Sequence, residues 1–139
     1  MRVLAAALGL LVLVAGIDRV AAQSLLQCGG AQQPAAVAEL MFGRKIGNRI
    51  AVTQSRWARF VDREITPRFP DGLSVVDAKG QWRDRTRNVI VREPSKLVTI
   101  VLPGDPADQI RLGEIIGVYK RRFKQQSVGV IVRPACVSF

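Results

Sequence analysis

Two hydrophobic periods succeed one another along this chain. Residues 35–43 alternate with a period of two. Ala38, Leu40 and Phe42 fall on one face, and Val37, Glu39 and Met41 on the other, which predicts a strand. Residues 44–52 read as a basic loop. Over residues 54–65 the period lengthens. Trp57, Phe60, Val61 and Ile65 form a helical stripe, Thr53 stands where an N-cap belongs, and Pro67 stops the helix. Asp71-Gly72 then turns the chain into a second strand over 73–82, followed by a charged hairpin tip at 83–88. Val89-Ile90-Val91 begins the return, and Pro94 is expected to interrupt and bend it. Residues 96–102 give the strongest strand pattern of the chain. Asp105-Pro106 announces a second helix, with Leu112, Ile115, Ile116, Tyr119 and Phe123 on one stripe. Its acids lie at the start and its bases at the end, as the helix dipole favours. Residues 127–133 form the last strand.

The order is βαββαβ. Two crossover units of this kind fold most simply as an α+β, ferredoxin-like sandwich, a four-stranded antiparallel sheet with two helices on one face. In the spatial order 4-1-3-2, the last strand lies beside the first. Cys28 precedes the first strand and Cys136 follows the last, so the fold brings both to one end of the sheet. A Cys28–Cys136 disulfide is therefore expected. Residues 97–102 and 128–132 are apolar on both faces, yet helices cover only one. The other face calls for a second subunit, giving a homodimer, or for the segment 23–34 held down by Cys28.

The first 22 residues change the picture of where this fold works. Met1-Arg2 is a positive start, residues 3–17 lack polar side chains, and Val20-Ala21-Ala22 supplies small residues at a cleavage site. That is the pattern of a secretory signal peptide, and the apolar run is shorter than a bilayer span of roughly 20 residues. The expectation is a single exported domain over 23–139, periplasmic or secreted, with no transmembrane span after signal removal. Retention by an uncleaved signal is the alternative. The whole chain carries a formal charge of +10; losing Arg2, Asp18 and Arg19 leaves +9. Such a surplus favours an anionic small molecule or an envelope polyanion as partner, although a merely solvated basic surface has the same composition.

The chain has no histidine. Ser-His and Cys-His nucleophile pairs and most zinc or iron sites are thereby excluded, and no metal or cofactor is expected. The loop Gly43-Arg44-Lys45-Ile46-Gly47-Asn48-Arg49 sits between strand and helix as phosphate loops do, but lacks the Gly-Lys-Ser/Thr ending. Arg83, Arg85 and Arg87 alternate along the hairpin tip, either as a polyanion grip or as a charged edge that prevents aggregation. Nucleic acid is not an expected partner, because the third strand carries no aromatic on which a base would stack. Glu39 is an acid within an apolar strand, where burial would raise its proton affinity, and Arg92, Lys96 or Arg133 are candidate partners. Arg68 pairs with Asp71 across a proline-rich turn or faces a ligand, and Phe69 beside it plugs the core. Trp82 lines a pocket mouth or caps the core. Two functional readings follow. One is a non-enzymatic exported module on an anionic partner or in an envelope assembly. The other is a small enzyme or ligand-binding domain with its pocket on the helix-free face, lined by Glu39, Arg68, Trp82, Arg92 and Lys96.

Four strings carry a resemblance: AELMFGR at 38–44, TPRFPDGLSVVDAKGQWRD at 66–84, REPSKLV at 92–98 and CVSF at 136–139. Together they resemble a bacterial secreted domain-of-unknown-function family, number 3574, over nearly all of the chain that follows the signal. The resemblance implies one small exported domain with cysteines near both ends, and it implies no catalytic residue. Some relatives look like lipoproteins, but Gln27 stands here where a lipobox needs a small residue, so lipidation of Cys28 is not the favoured reading.

Overall fold

The computed structural model describes residues 27–139; the signal peptide reading falls on residues outside them. The elements in chain order are β1 (Gln33–Gly43), β2 (Lys45–Ile46), β3 (Arg49–Ile50), α1 (Gln54–Phe60), β4 (Ser74–Asp84), β5 (Val89–Leu102), α2 (Asp108–Phe123) and β6 (Gly129–Val137). A π-helical turn, Val61–Ile65, prolongs α1. The main sheet has the order β4-β5-β1-β6 with every pair antiparallel. This is the ferredoxin-like α+β sandwich, in the strand order expected.

Register decides what each face holds. Leu40 lies opposite Val98 and Ala38 opposite Ile100, so these four share the helix-covered face, and all are buried. Onto them pack Trp57 and Phe60 of α1 and Tyr119 and Phe123 of α2. With Phe42 they form an aromatic cluster. Phe42 to Tyr119 is 4.7 Å and Phe60 to Tyr119 is 4.9 Å between centroids, both edge-on, the arrangement that ring quadrupoles favour. Phe69 is buried in the connector, as expected of a plug.

Three local expectations are corrected. The basic loop after β1 is a small hairpin. Lys45 pairs with Ile50 and Ile46 with Arg49, and Gly47 at φ 58° takes the first central position, where a type II′ turn needs positive φ. Pro94 does not interrupt β5, which runs unbroken from Val89 to Leu102. Its carbonyl accepts from Arg44 N at 3.0 Å, so its missing N–H also points to the β1 side. The carbonyl such an N–H would meet, Arg44 O, accepts instead from Ala51 N at 3.0 Å and Val52 N at 3.2 Å. Asp105 does not cap α2 directly. It accepts from Ala107 N, while the buried Asp108 accepts from Gly104 N and Asp105 N, both at 3.0 Å.

The Cys28–Cys136 bond is formed, with Cα atoms 5.5 Å apart. Because Pro34 pairs with Cys136, the bridge fastens the lead-in segment to the β1–β6 end of the sheet. Residues 29–34 are nevertheless exposed, and Gln33 and Pro34 belong to β1 itself.

Candidate functional site

On the face away from the helices, the same alternation produces a different surface. Met41 and Gly43 come from β1, Ala78, Gly80 and Trp82 from β4, and Glu93, Ser95 and Leu97 from β5. These residues, with Gly129 and the segment Gln125 to Ser127, line a pocket of about 490 Å³. Met41, Ala78, Leu97 and the indole of Trp82 make apolar walls. Glycines hold it open. A Cβ on Gly129 would stand 3.3 Å from the Met41 side chain, and one on Gly43 would stand 2.6 Å from Glu93 Oε1.

Glu93 is the fixed point of this pocket. Its Oε1 accepts from Trp82 Nε1 at 2.8 Å, and its Oε2 accepts from Lys45 N at 2.9 Å. Each carboxylate oxygen offers two lone pairs, so both retain an acceptor site for a further donor. The contact with Trp82 orients the ring against the pocket; the contact with Lys45 ties the pocket to the β2–β3 hairpin. Gln125 Nε2 reinforces the tie by donating to Lys45 O at 2.7 Å. Behind Gly43, on the core side, Tyr119 donates its hydroxyl to Gly43 O at 2.8 Å. Burial pushes the Tyr119 hydroxyl far above its ordinary range, with the Glu93 charge adding and Arg44 opposing. It therefore acts as a neutral donor. A second hollow on the same face, about 470 Å³ near Ser74, Thr99 and Val101, has no comparable convergence of fixed polar groups.

The five residues picked from the sequence do not come together. Trp82 lines the pocket. Glu39 lies on the same face but beyond Met41, in a bidentate pair with Arg133 at 2.8 and 3.0 Å. The expectation that burial raises its proton affinity is reversed: the Arg133 hydrogen bonds outweigh desolvation and hold the Glu39 carboxyl below its usual range. Lys96 stands opposite Phe42, on the helix-covered face, buried and paired with Asp77 at 2.6 Å. Its ammonium hydrogen bond holds the Asp77 carboxyl below its usual range. Arg92 pairs in register with Gln81, one residue out of phase with Glu93, and is exposed. Arg68 sits in the helical layer, bonded to Glu64 and to Glu114 at 2.9 Å rather than to Asp71. Arg83 donates to Asn88, and Arg87 to the buried Asp84 at 2.7 Å, so these two hold the hairpin turn together.

Glu93 escapes a reading of the sequence because it stands beside Pro94, where a strand is expected to break. The signal is available in the hairpin register. With Trp82 opposite Val91 and Gly80 opposite Glu93, the acid and the indole are diagonal neighbours on one face.

Residues 37–139 match the model of the family described as protein of unknown function (DUF3574), and the chain belongs to that family. None of the curated proteins matches it in sequence. Among solved structures, it is similar to a phage SAM lyase in complex with S-methyl-5'-thioadenosine. The TM-score is 0.60 at 17% identity, covering 83% of this chain and 95% of that one. The apo state of a phage SAM lyase gives a TM-score of 0.51 at 18% identity, over 84% and 97% of the two chains. At such identity the likeness is one of fold. Among the described residues, no helix is long and apolar enough to cross a membrane.

Proposed function

We propose that this protein binds a small, flat, mostly apolar molecule, carrying hydrogen-bond donors or a positive charge, on its helix-free sheet face. One observation carries the reading: Glu93 is held by Trp82 and Lys45 at the edge of an open, glycine-floored pocket with apolar walls. Apolar walls with a few fixed polar groups are the usual composition of a small-molecule site. A ring stacked against Trp82 and an N–H or cation directed at Glu93 would use both. The lyase of similar fold was captured with S-methyl-5'-thioadenosine, a flat base bearing donors and a thioether, and that compound is the first probe. The expected homodimer bears on the same face, because a second copy lying there would close the pocket. The disulfide supports an oxidising, exported location. The excess of basic residues supports an anionic surface nearby.

The test is a thermal-shift and fluorescence titration of the disulfide-bonded protein with S-methyl-5'-thioadenosine, adenosine and a methylsulfonium analogue. Product chromatography reads any turnover in the same samples. A ligand at 100 times its Kd stabilises by about 2.7 kcal/mol, enough to move the melting temperature by several degrees. Glu93→Gln and Leu97→Trp, which fills the hollow, should each abolish the shift. Absence of a shift with every probe, or a shift that survives Leu97→Trp, overturns the reading.

A further inference from the structure

The β2–β3 hairpin does something the core does not need. Ile46 and Arg49 share one of its faces, and Lys45 and Ile50 the other. Ile46 is 38% exposed and Ile50 53% exposed, so the ribbon presents an isoleucine to water on each side. Between the hairpin and the start of α1 lies a cleft of about 370 Å³, lined by Ile46, Arg49, Ile50, Ala51, Thr53 and Arg56. Two guanidinium groups thus stand beside two exposed aliphatic side chains.

The basic surface continues from there. Arg56, Arg59 and Arg63 follow at i, i+3 and i+7, one stripe of a helix, and all are exposed. The end of α2, packed on the same layer, adds exposed Lys120, Arg121 and Lys124. The acids of this layer are largely spent: Glu64 is bonded to Arg68 and Arg122, and Glu114 to Arg68. Asp62 is the exposed acid of the α1 stretch.

We infer that the β2–β3 hairpin and the basic stripe of α1 form a docking surface for a bilayer rich in anionic phospholipid, with Ile46 and Ile50 entering the headgroup boundary. Charge complementarity selects anionic lipid, and each Lys or Arg near such a surface adds attraction that fades within a Debye length, about 10 Å at 0.1 M salt. The isoleucines select a bilayer over a nucleic acid. Single strands are gripped by stacking bases on aromatics, and the aromatic side chains under this surface, Trp57 and Phe60, are buried. Guanidinium forks suit the phosphate oxygens of a headgroup, and the aliphatic tips suit the acyl boundary below it. The inference is independent of the pocket, since none of the exposed residues it invokes lines the helix-free face.

Vesicle co-sedimentation of the disulfide-bonded protein tests it, with phosphatidylglycerol–phosphatidylcholine vesicles against pure phosphatidylcholine. Binding is expected to the anionic vesicles alone and to weaken with salt. Arg49→Glu with Arg59→Glu should reduce it by roughly tenfold or more. Ile46→Ser with Ile50→Ser should reduce it several-fold while leaving its salt dependence in place. Ile46→Trp should add an emission component that shifts to the blue on anionic vesicles. Circular dichroism and melting temperature confirm that each variant folds, as expected for exposed positions. Equal binding to both vesicle types, no binding at low salt, indifference to the isoleucine change, or tighter binding to a single-stranded oligonucleotide would each overturn the proposal. Competition by free glycerol phosphate at micromolar concentration would also overturn it, since the ligand would then be a free phosphate.

Discussion

The two faces of this sheet are built from alternate residues of the same strands, and they have opposite characters. The covered face of β1 and β5 carries Leu40, Phe42, Val98 and Ile100, each at most 1% exposed. The free face carries Met41, Gly43, Ser95 and Leu97 along the same stretches, together with Gly80 and Gly129 from the outer strands. Lys96 on the covered face and Glu39 and Glu93 on the free face apart, both stretches are uncharged, and what separates them is side-chain volume. Large side chains interdigitate with α1 and α2 and leave no space. Small ones leave a hollow, and in that hollow a carboxylate is fixed. A strand's alternation says that two faces exist, and the distribution of volume says which one packs and which one receives.

Truncation measures this contrast directly. Phe60→Ala, in the layer where α1 packs onto the covered face, should cost about 3–5 kcal/mol in urea unfolding, because the aromatic cluster cannot collapse around the gap. Met41→Ala, 38% exposed on the free face, should cost about 1 kcal/mol or less. Equal costs would break the comparison, since Met41 would then be packed against something in solution.

Gly43 stands where the faces meet. Its carbonyl receives the Tyr119 hydroxyl from the core side, and its Cα backs onto Glu93 on the open side. Gly43→Ala would drive a methyl to 2.6 Å from Glu93 Oε1, so the carboxylate must move and release Trp82. The expected cost is about 1–3 kcal/mol, with a change in Trp82 emission and loss of any ligand response. An unchanged emission spectrum would mean that Glu93 does not hold the indole.

A lysine scan sharpens the contrast further. Ile100→Lys should prevent folding, as it puts a charge in the core without a partner. Val101→Lys, next in sequence but on the free face, should leave a folded protein. Light scattering of the parent at micromolar concentration is expected to give twice the chain mass, and of Val101→Lys the single chain mass. A monomeric parent would remove the second copy from the free face.

Much of this is legible in the sequence. The period changes give the element order, and the order gives the sheet, which in turn places Cys28 beside Cys136. Trp82 can be picked from its position at the hairpin end. Other features depend on register, which period alone does not supply. Lys96 and Leu97 are neighbours in an apolar run, and only the pairing of Phe42 with Lys96 sends the lysine under the helices and Leu97 into the pocket. Arg68 is a candidate because its connector is rigid, but rigidity does not say where a long side chain reaches; Glu64 and Glu114 decide that. The β2–β3 hairpin escapes because Gly-Asn, the mirror of the stronger Asn-Gly signal, reads as part of a loop.

The smallest expected effect separates the two faces by their ion pairs. Glu39–Arg133 lies on the free face with water on both partners, and Asp77–Lys96 joins an exposed carboxylate to a buried ammonium. Both carboxyls titrate below their ordinary range, held there chiefly by the hydrogen bond from the partner. A depressed carboxyl stabilises the fold above its unfolded pKa, about 4, and that contribution fades as pH falls through the lower folded value. Stability should therefore be flat from neutrality down to about pH 5 and decline below about pH 4. The partners' removal should differ. Arg133→Ala should return Glu39 to the ordinary carboxylate range in a carbon-detected NMR titration with little change in melting temperature, because exposed pairs contribute little. Asp77→Asn should lower the melting temperature more than Glu39→Gln does, because it strands the Lys96 ammonium beneath the helices while the Arg133 guanidinium remains in water. If the two carboxamide variants melt alike, Lys96 finds another partner or reaches solvent, and the covered face is less closed at its β4 edge than its burial indicates.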